Sequence, residues 1–165
     1  MKKNMAGVMA ISIAALLFAG CGGGGSSPTA KAEEPTTTTT VAIDYAAQYL
    51  TIVAPYNDAQ QTYTETFSGI SLSDSVAVEA ATTPIAEALE VFGNTLLRSS
   101  WPETVKPAIT QLAQNAIQQA SLIRTIKDAM PFQYASISDA SKRLEGEGSS
   151  YASTVRALLN LPPPS

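Results

Sequence analysis

The sequence predicts an all-α protein folded as an up-and-down antiparallel four-helix bundle, with a three-helix bundle and an irregular fourth segment as the alternative. Three observations lead there. Apolar residues recur at three- and four-residue steps in four successive stretches, placing each set on one helical face. No stretch of useful length alternates with the period of two that a half-buried strand requires. The stretches, each of about 20–30 residues, are joined by short Pro/Gly/Ser segments, and short links favour antiparallel neighbours.

The first helix is expected from about Val41 to Ser68. Tyr45, Tyr49, Ile52, Tyr56, Ala59, Tyr63 and Phe67 form its stripe. Asp44 suits the positive end of the helix dipole, and Gly69 closes the segment. Pro55 lies inside the pattern and predicts a kink, because proline removes a backbone donor. Asp74 is a good cap for the second helix, whose stripe is Val78, Ala81, Ile85, Leu89, Phe92 and Leu96. Pro84 predicts a break or kink near Thr83.

The third helix carries the cleanest period: Val105, Ile109, Leu112, Ala116, Gln119, Ile123, Ile126 and Met130. Ser100-Trp101-Pro102-Glu103 has the spacing of a capping box at its start, with proline in the first turn. Pro131 ends the pattern, and Phe132 with Tyr134 is expected over a bundle end. The fourth helix is the weakest. Ile137, Leu144, Tyr151, Val155 and Leu158 are helically spaced, but Gly146 and Gly148 each cost roughly 1 kcal/mol against alanine.

Ahead of the bundle, Met1–Asn4 is a short positive start and Met5–Ala19 a run of apolar or small residues. That run is short for a membrane span, which needs about 20 apolar residues, and suits a secretion signal. It ends in Leu17-Phe18-Ala19-Gly20-Cys21, which resembles the lipobox of bacterial lipoproteins, with Phe18 where leucine is usual. The resemblance implies a cleaved leader over 1–20, acylation of Cys21, and anchoring to the extracytoplasmic face of the cell membrane. More than one acyl chain is what stable anchoring requires. Residues 21–40 then form a Gly/Ser/Thr-rich tether without apolar bulk to build a core. As a flexible coil it spans roughly 25 Å, and at most about 60 Å when extended. Thr36–Thr40 reads as spacer and also offers hydroxyls for O-glycosylation. The helical domain is expected over 41–161, with a Pro-rich tail at 162–165.

Within that domain, Tyr49-Leu50-Thr51-Ile52-Val53-Ala54-Pro55-Tyr56-Asn57, Trp101-Pro102 and the run from Val155 to Pro163 resemble a group of actinobacterial, mycobacterial-type lipoproteins. The resemblance implies a helical, surface-anchored domain and carries no catalytic residues with it.

Composition narrows the chemistry further. The chain of 165 residues has a net charge of −4, and its leader lysines Lys2 and Lys3 hide a mature balance of −6, eight basic against 14 acidic residues. An acidic chain without a basic cluster argues against nucleic acid as a partner, since phosphate neutralisation needs clustered Lys and Arg. Histidine is absent and Cys21 is the only cysteine. A nucleophilic Ser or Thr would therefore need a lysine base, and no Ser-x-x-Lys arrangement supplies one. Glu87 and Glu90 share a helix face without the Glu-x-x-His pattern of a di-iron bundle. The reading is of a non-enzyme with no cofactor and no metal.

The most informative feature is the tyrosine stripe. Tyr49, Tyr56 and Tyr63 stand seven residues apart, with Tyr45 one turn earlier, so four of the six tyrosines face one way. Ala113, Ala116 and Ala120 opposite leave room for large rings, and Gln119 and Gly148 fall on core stripes where they leave space. In a filled core each hydroxyl would reach a partner at the rim. In a cleft the same hydroxyls would meet a ligand. Asn57, Asn94 and Asn115 sit beside the apolar stripes and are expected to bond across helices. Two roles follow. One is a non-catalytic interaction module of the cell envelope, with a filled core and an exposed apolar patch facing an envelope protein. The other is a carrier or sensor of a small amphiphile in a cleft of Tyr45, Tyr49, Tyr56 and Tyr63.

Overall fold

The structure is a computed structural model, and it describes residues 43–163. The leader, Cys21 and the tether lie outside the described residues. The described chain forms four long helices: α1 (Tyr45–Phe67), α2 (Ser75–Arg98), α3 (Lys106–Thr125) and α4 (Tyr134–Leu158). Short 3-10 turns at Ile126–Asp128 and Pro131–Gln133 join the last two. The helices run up and down as an antiparallel four-helix bundle, and no strand occurs among the described residues. No helix among them is long and apolar enough to cross a membrane.

Two carboxylates start the first hairpin. Asp44 caps α1 by accepting from the Ala47 N–H, and Asp74 caps α2 by accepting from the Ala77 N–H, each at 3.0 Å. The α2 stripe is buried as its spacing predicts, from Val78 through Ile85 and Leu89 to Leu96. In α1, Tyr49, Val53, Gln60 and Tyr63 are buried, so the apolar face is broader than the tyrosine stripe alone.

Neither internal proline interrupts its helix. α1 continues through Pro55 and α2 through Pro84. Each proline strips the donor from the carbonyl four residues earlier, on Thr51 and on Ala80, and both of those residues are exposed. Both carbonyls are therefore on the solvent side of their helices, while buried residues on both sides hold the helix in place.

The start of α3 also differs from the sequence expectation. No capping box forms at Ser100; the helix begins at Lys106, with Pro107 in its first turn. Trp101 accounts for the change. Its ring is buried and its indole N–H donates to the Leu96 carbonyl at 2.9 Å, which holds residues 99–105 as a link folded back on α2. The Pro102 carbonyl then accepts from the Val105 and Lys106 N–H groups at 2.9 and 3.0 Å.

At the opposite end, α3 stops at Thr125, so Met130 is not on its stripe and is exposed. Phe132 does not cover the bundle end: it is 79% exposed. Tyr134 does reach inward, and its hydroxyl donates to the Leu72 carbonyl at 3.0 Å, tying together the two links at this end. α4 finishes in a Schellman turn. The Leu161 N–H donates to the Arg156 carbonyl and the Asn160 N–H to the Ala157 carbonyl, with Asn160 left-handed at φ 56°. Arg156, itself buried, donates through Nε to the Pro162 carbonyl at 2.6 Å, drawing the chain end against the bundle.

Close backbone approach joins α1 to α2, α2 to α3 and α3 to α4. The α2–α3 pair is the tightest, because Gly93 lets the helices approach until a Cβ there would stand 2.7 Å from the Ala113 carbonyl oxygen. α1 and α4, which would close the ring, are not a close-packed pair. The bundle thus has one loosely closed seam, and it lies beside the tyrosines.

Candidate functional site

The tyrosine stripe of α1 faces the middle of the bundle, but its members do not share one environment. Tyr45 sits at the end near the α2–α3 link, its ring 6.2 Å from that of Trp101. Tyr49 and Tyr63 are buried, and Tyr56 is partly buried with its ring stacked on Phe92 at 5.2 Å and 11° between planes. Tyr63 packs on Phe67, centroids 4.9 Å apart. None of the hydrogen bonds found among the described residues engages the hydroxyls of Tyr49, Tyr56 or Tyr63. None of the three is a fully buried hydroxyl left without a partner, so each stands where solvent or a ligand can reach it.

A cavity of about 70 Å³ opens here, walled by all four helices. Tyr49, Val53, Tyr56 and Gln60 form the α1 wall, and Leu89 and Phe92 the α2 wall. α3 contributes Asn115 and Gln119 beside Leu112 and Ala116, and α4 contributes Glu145, Gly148, Ser149 and Ala152. A second, much smaller space of about 10 Å³ continues toward Tyr63. Tyr56, Leu89, Gln119 and Glu145 line both, and so form the partition between them. Of the four candidate tyrosines, Tyr49 and Tyr56 line the larger space, Tyr56 and Tyr63 the smaller one, and Tyr45 neither.

The polar wall is built by a short network between α3 and α4. Asn115 donates through Nδ2 to the Leu144 carbonyl at 3.0 Å, bonding across helices as expected of it. Gln119 donates to the Asn115 amide oxygen at 2.6 Å and more weakly to the same Leu144 carbonyl at 3.3 Å. Gly148 makes room for both amides: a Cβ there would lie 2.6 Å from Asn115 Oδ1 and 3.0 Å from Gln119 Nε2. Gly148 and Gln119 thus do leave space on the core stripes, though amides occupy part of it. Asn57 behaves differently, since its buried Oδ1 accepts no hydrogen bond.

Glu145 is the one carboxylate in either wall, and no Lys or Arg lines them. It accepts from the Ser141 hydroxyl at 2.9 Å. Partial burial pushes its carboxyl above the ordinary carboxylate range, while the Ser141 bond and the Lys142 charge pull the other way. Burial likewise raises the tyrosines. Tyr49 is pushed up to about 12, slightly restrained by the Arg156 charge. Tyr56 and Tyr63 rise further, because the Glu145 charge adds to their desolvation.

Reading the sequence alone did not single out Glu145, Gln60 or Ser149. Gln60 and Ser149 carried no periodic signal as site residues, and Glu145 looks like any solvated helix carboxylate until α1 is placed opposite it. Glu90, by contrast, does lie on a solvated face, paired with Arg124 of α3. Among the described residues no group of three or more His, Cys, Asp or Glu is placed to hold a metal ion. Compared with protein-family models, with curated proteins and with solved structures, the chain finds no match.

Proposed function

We propose that this chain is a lipid-anchored protein of the cell envelope, held on the extracytoplasmic face through Cys21, whose bundle binds a small amphiphilic ligand. The cavity beside Tyr56 carries the binding half of this reading. A pocket with aromatic walls and a few convergent polar groups has the make-up of a small-molecule site, and at about 70 Å³ this one has room for a ligand's head group and not for a whole ligand. Here Tyr49, Tyr56, Leu89 and Phe92 supply the apolar side, and Asn115, Gln119 and Glu145 the polar side. Binding is favoured over catalysis because the hydroxyls that share the cavity with Glu145 are those of Ser149, which has no His or Lys beside it in the walls, and of Tyr49 and Tyr56, which burial holds protonated. The lipobox-like stretch ending at Cys21 supports the anchor.

The interaction-module reading stands second, on one observation. Val76, Met130 and Phe132 are exposed near the α1–α2 and α3–α4 links, at the end of the bundle away from the N-terminus of α1. A core with an open cavity speaks for the carrier or sensor.

Native mass spectrometry of the full chain, extracted in mild detergent from an actinobacterial host, tests the proposal. A reproducible added mass that leaves on denaturation is the expected result. A bare chain in every preparation overturns ligand binding and turns attention to the exposed end. The anchor has its own test: Cys21→Ala should move the protein out of the membrane fraction, and retention there would overturn it.

A further inference from the structure

The geometry points to a small organic ammonium head as the group this cavity selects, held between the Glu145 carboxylate and the rings of Tyr49, Tyr56 and Phe92. The inference rests on the ligand-binding reading above and specifies the ligand's polar end. Three observations and one electrostatic argument carry it. Glu145 is the only charged side chain in the cavity walls, and the charges of Lys142 and Arg156 reach Glu145 and Tyr49 from outside them. Lys142 lies on the exposed side of α4 and lines neither space. Three aromatic rings line the same space, two of them, Tyr56 and Phe92, stacked on each other so that one face of each remains for a cation, and aromatic rings attract quaternary ammonium groups in particular. An anionic head would meet the Glu145 carboxylate with no basic side chain in the walls to bind it, whereas a cation would meet an opposite charge there.

Size agrees with chemistry. At ~15 Å³ for each water-sized sphere, 70 Å³ accommodates about five. That is room for a compact head group and not for an alkyl chain as well. The apolar remainder of an amphiphile would have to leave along the loosely packed α1–α4 seam.

Isothermal titration of the full chain with choline and with its uncharged isostere, 3,3-dimethyl-1-butanol, separates the possibilities. Choline is expected to bind at least ~10-fold more tightly, the scale of one charge-assisted contact. Glu145→Gln should erase that preference, and Tyr56→Leu should weaken choline while the helical circular dichroism stays unchanged. Glu147→Gln, a carboxylate of α4 outside the cavity, should leave the preference intact. Equal binding of the two probes, or a preference that survives Glu145→Gln, overturns the cation inference and leaves the cleft reading standing. Binding of neither probe overturns the cation inference as well. The cleft reading itself then falls only if native mass spectrometry also finds a bare chain.

Discussion

Gly148 of α4 lies so close to Asn115 of α3 that a Cβ on the glycine would stand 2.6 Å from the asparagine amide oxygen. The contact sets the polar wall of the cavity, because it lets the Asn115 amide reach the Leu144 carbonyl across the helix boundary. It also gives a glycine within a helix a packing role that outweighs its poor helix propensity.

Gly146 and Gly148 should therefore respond oppositely to the same replacement. Nothing lies within 4 Å of a Cβ at Gly146, so Gly146→Ala should stabilise the bundle by roughly 0.5–1 kcal/mol through propensity alone. Gly148→Ala should instead destabilise by about 1–3 kcal/mol, since the Asn115 amide is held by its own bond and must be displaced. Urea unfolding of the two variants beside the parent checks both signs. Stabilisation by Gly148→Ala would mean that the amide network rearranges freely.

The end of α4 offers a backbone test. Asn160 occupies the left-handed position of the Schellman turn, at φ 56°. Asn160→Ala should cost about 1 kcal/mol, whereas Asn160→Gly should be neutral or slightly stabilising. Thermal unfolding of both variants distinguishes a conformational cost from loss of a side-chain contact, which would harm both alike.

The tyrosines make the fold sensitive to alkali. Unfolded tyrosine ionises near pH 10, while Tyr49 in the bundle keeps its proton to about 12, and Tyr56 and Tyr63 keep theirs longer. Above pH 10 the native state therefore binds more protons than the unfolded one, and stability falls as the pH rises. The stabilisation is fully present below pH 10 and is lost from there toward pH 12 and beyond. Each buried tyrosine contributes a slope of ~1.4 kcal/mol per pH unit in that window. Urea unfolding at stepped alkaline pH should show the decline, and Tyr49→Phe should flatten it. A slope unchanged by that replacement would show that the ring titrates normally.

Much of this architecture was legible in the residue order. The α2 stripe from Val78 to Leu96 and the Asp74 cap are local features, written in spacings of three and four residues and in one side chain's reach to a nearby N–H, and Asp44, placed at the α1 start for the helix dipole, proves to be a cap as well. Where the sequence reading missed, a longer-range contact had intervened. Trp101 resembled part of a helix start until its indole found the Leu96 carbonyl, and that bond moved the start of α3 to Lys106. A break was open at Pro84 because the cost of proline is local, while the burial that keeps α2 continuous comes from partner helices.

The same division runs through the candidate site. Periodicity by itself determined that Tyr45, Tyr49, Tyr56 and Tyr63 share a face, since helical geometry depends on position in the chain alone. Only the tertiary structure decided that Tyr45 would pack on Trp101 instead of the cavity, and that Glu145 would stand between the two spaces. Those outcomes depend on how closely the helices approach. Gly93 draws α2 and α3 together while α1 and α4 stay apart, so the unfilled volume lies where four separate stretches of sequence meet.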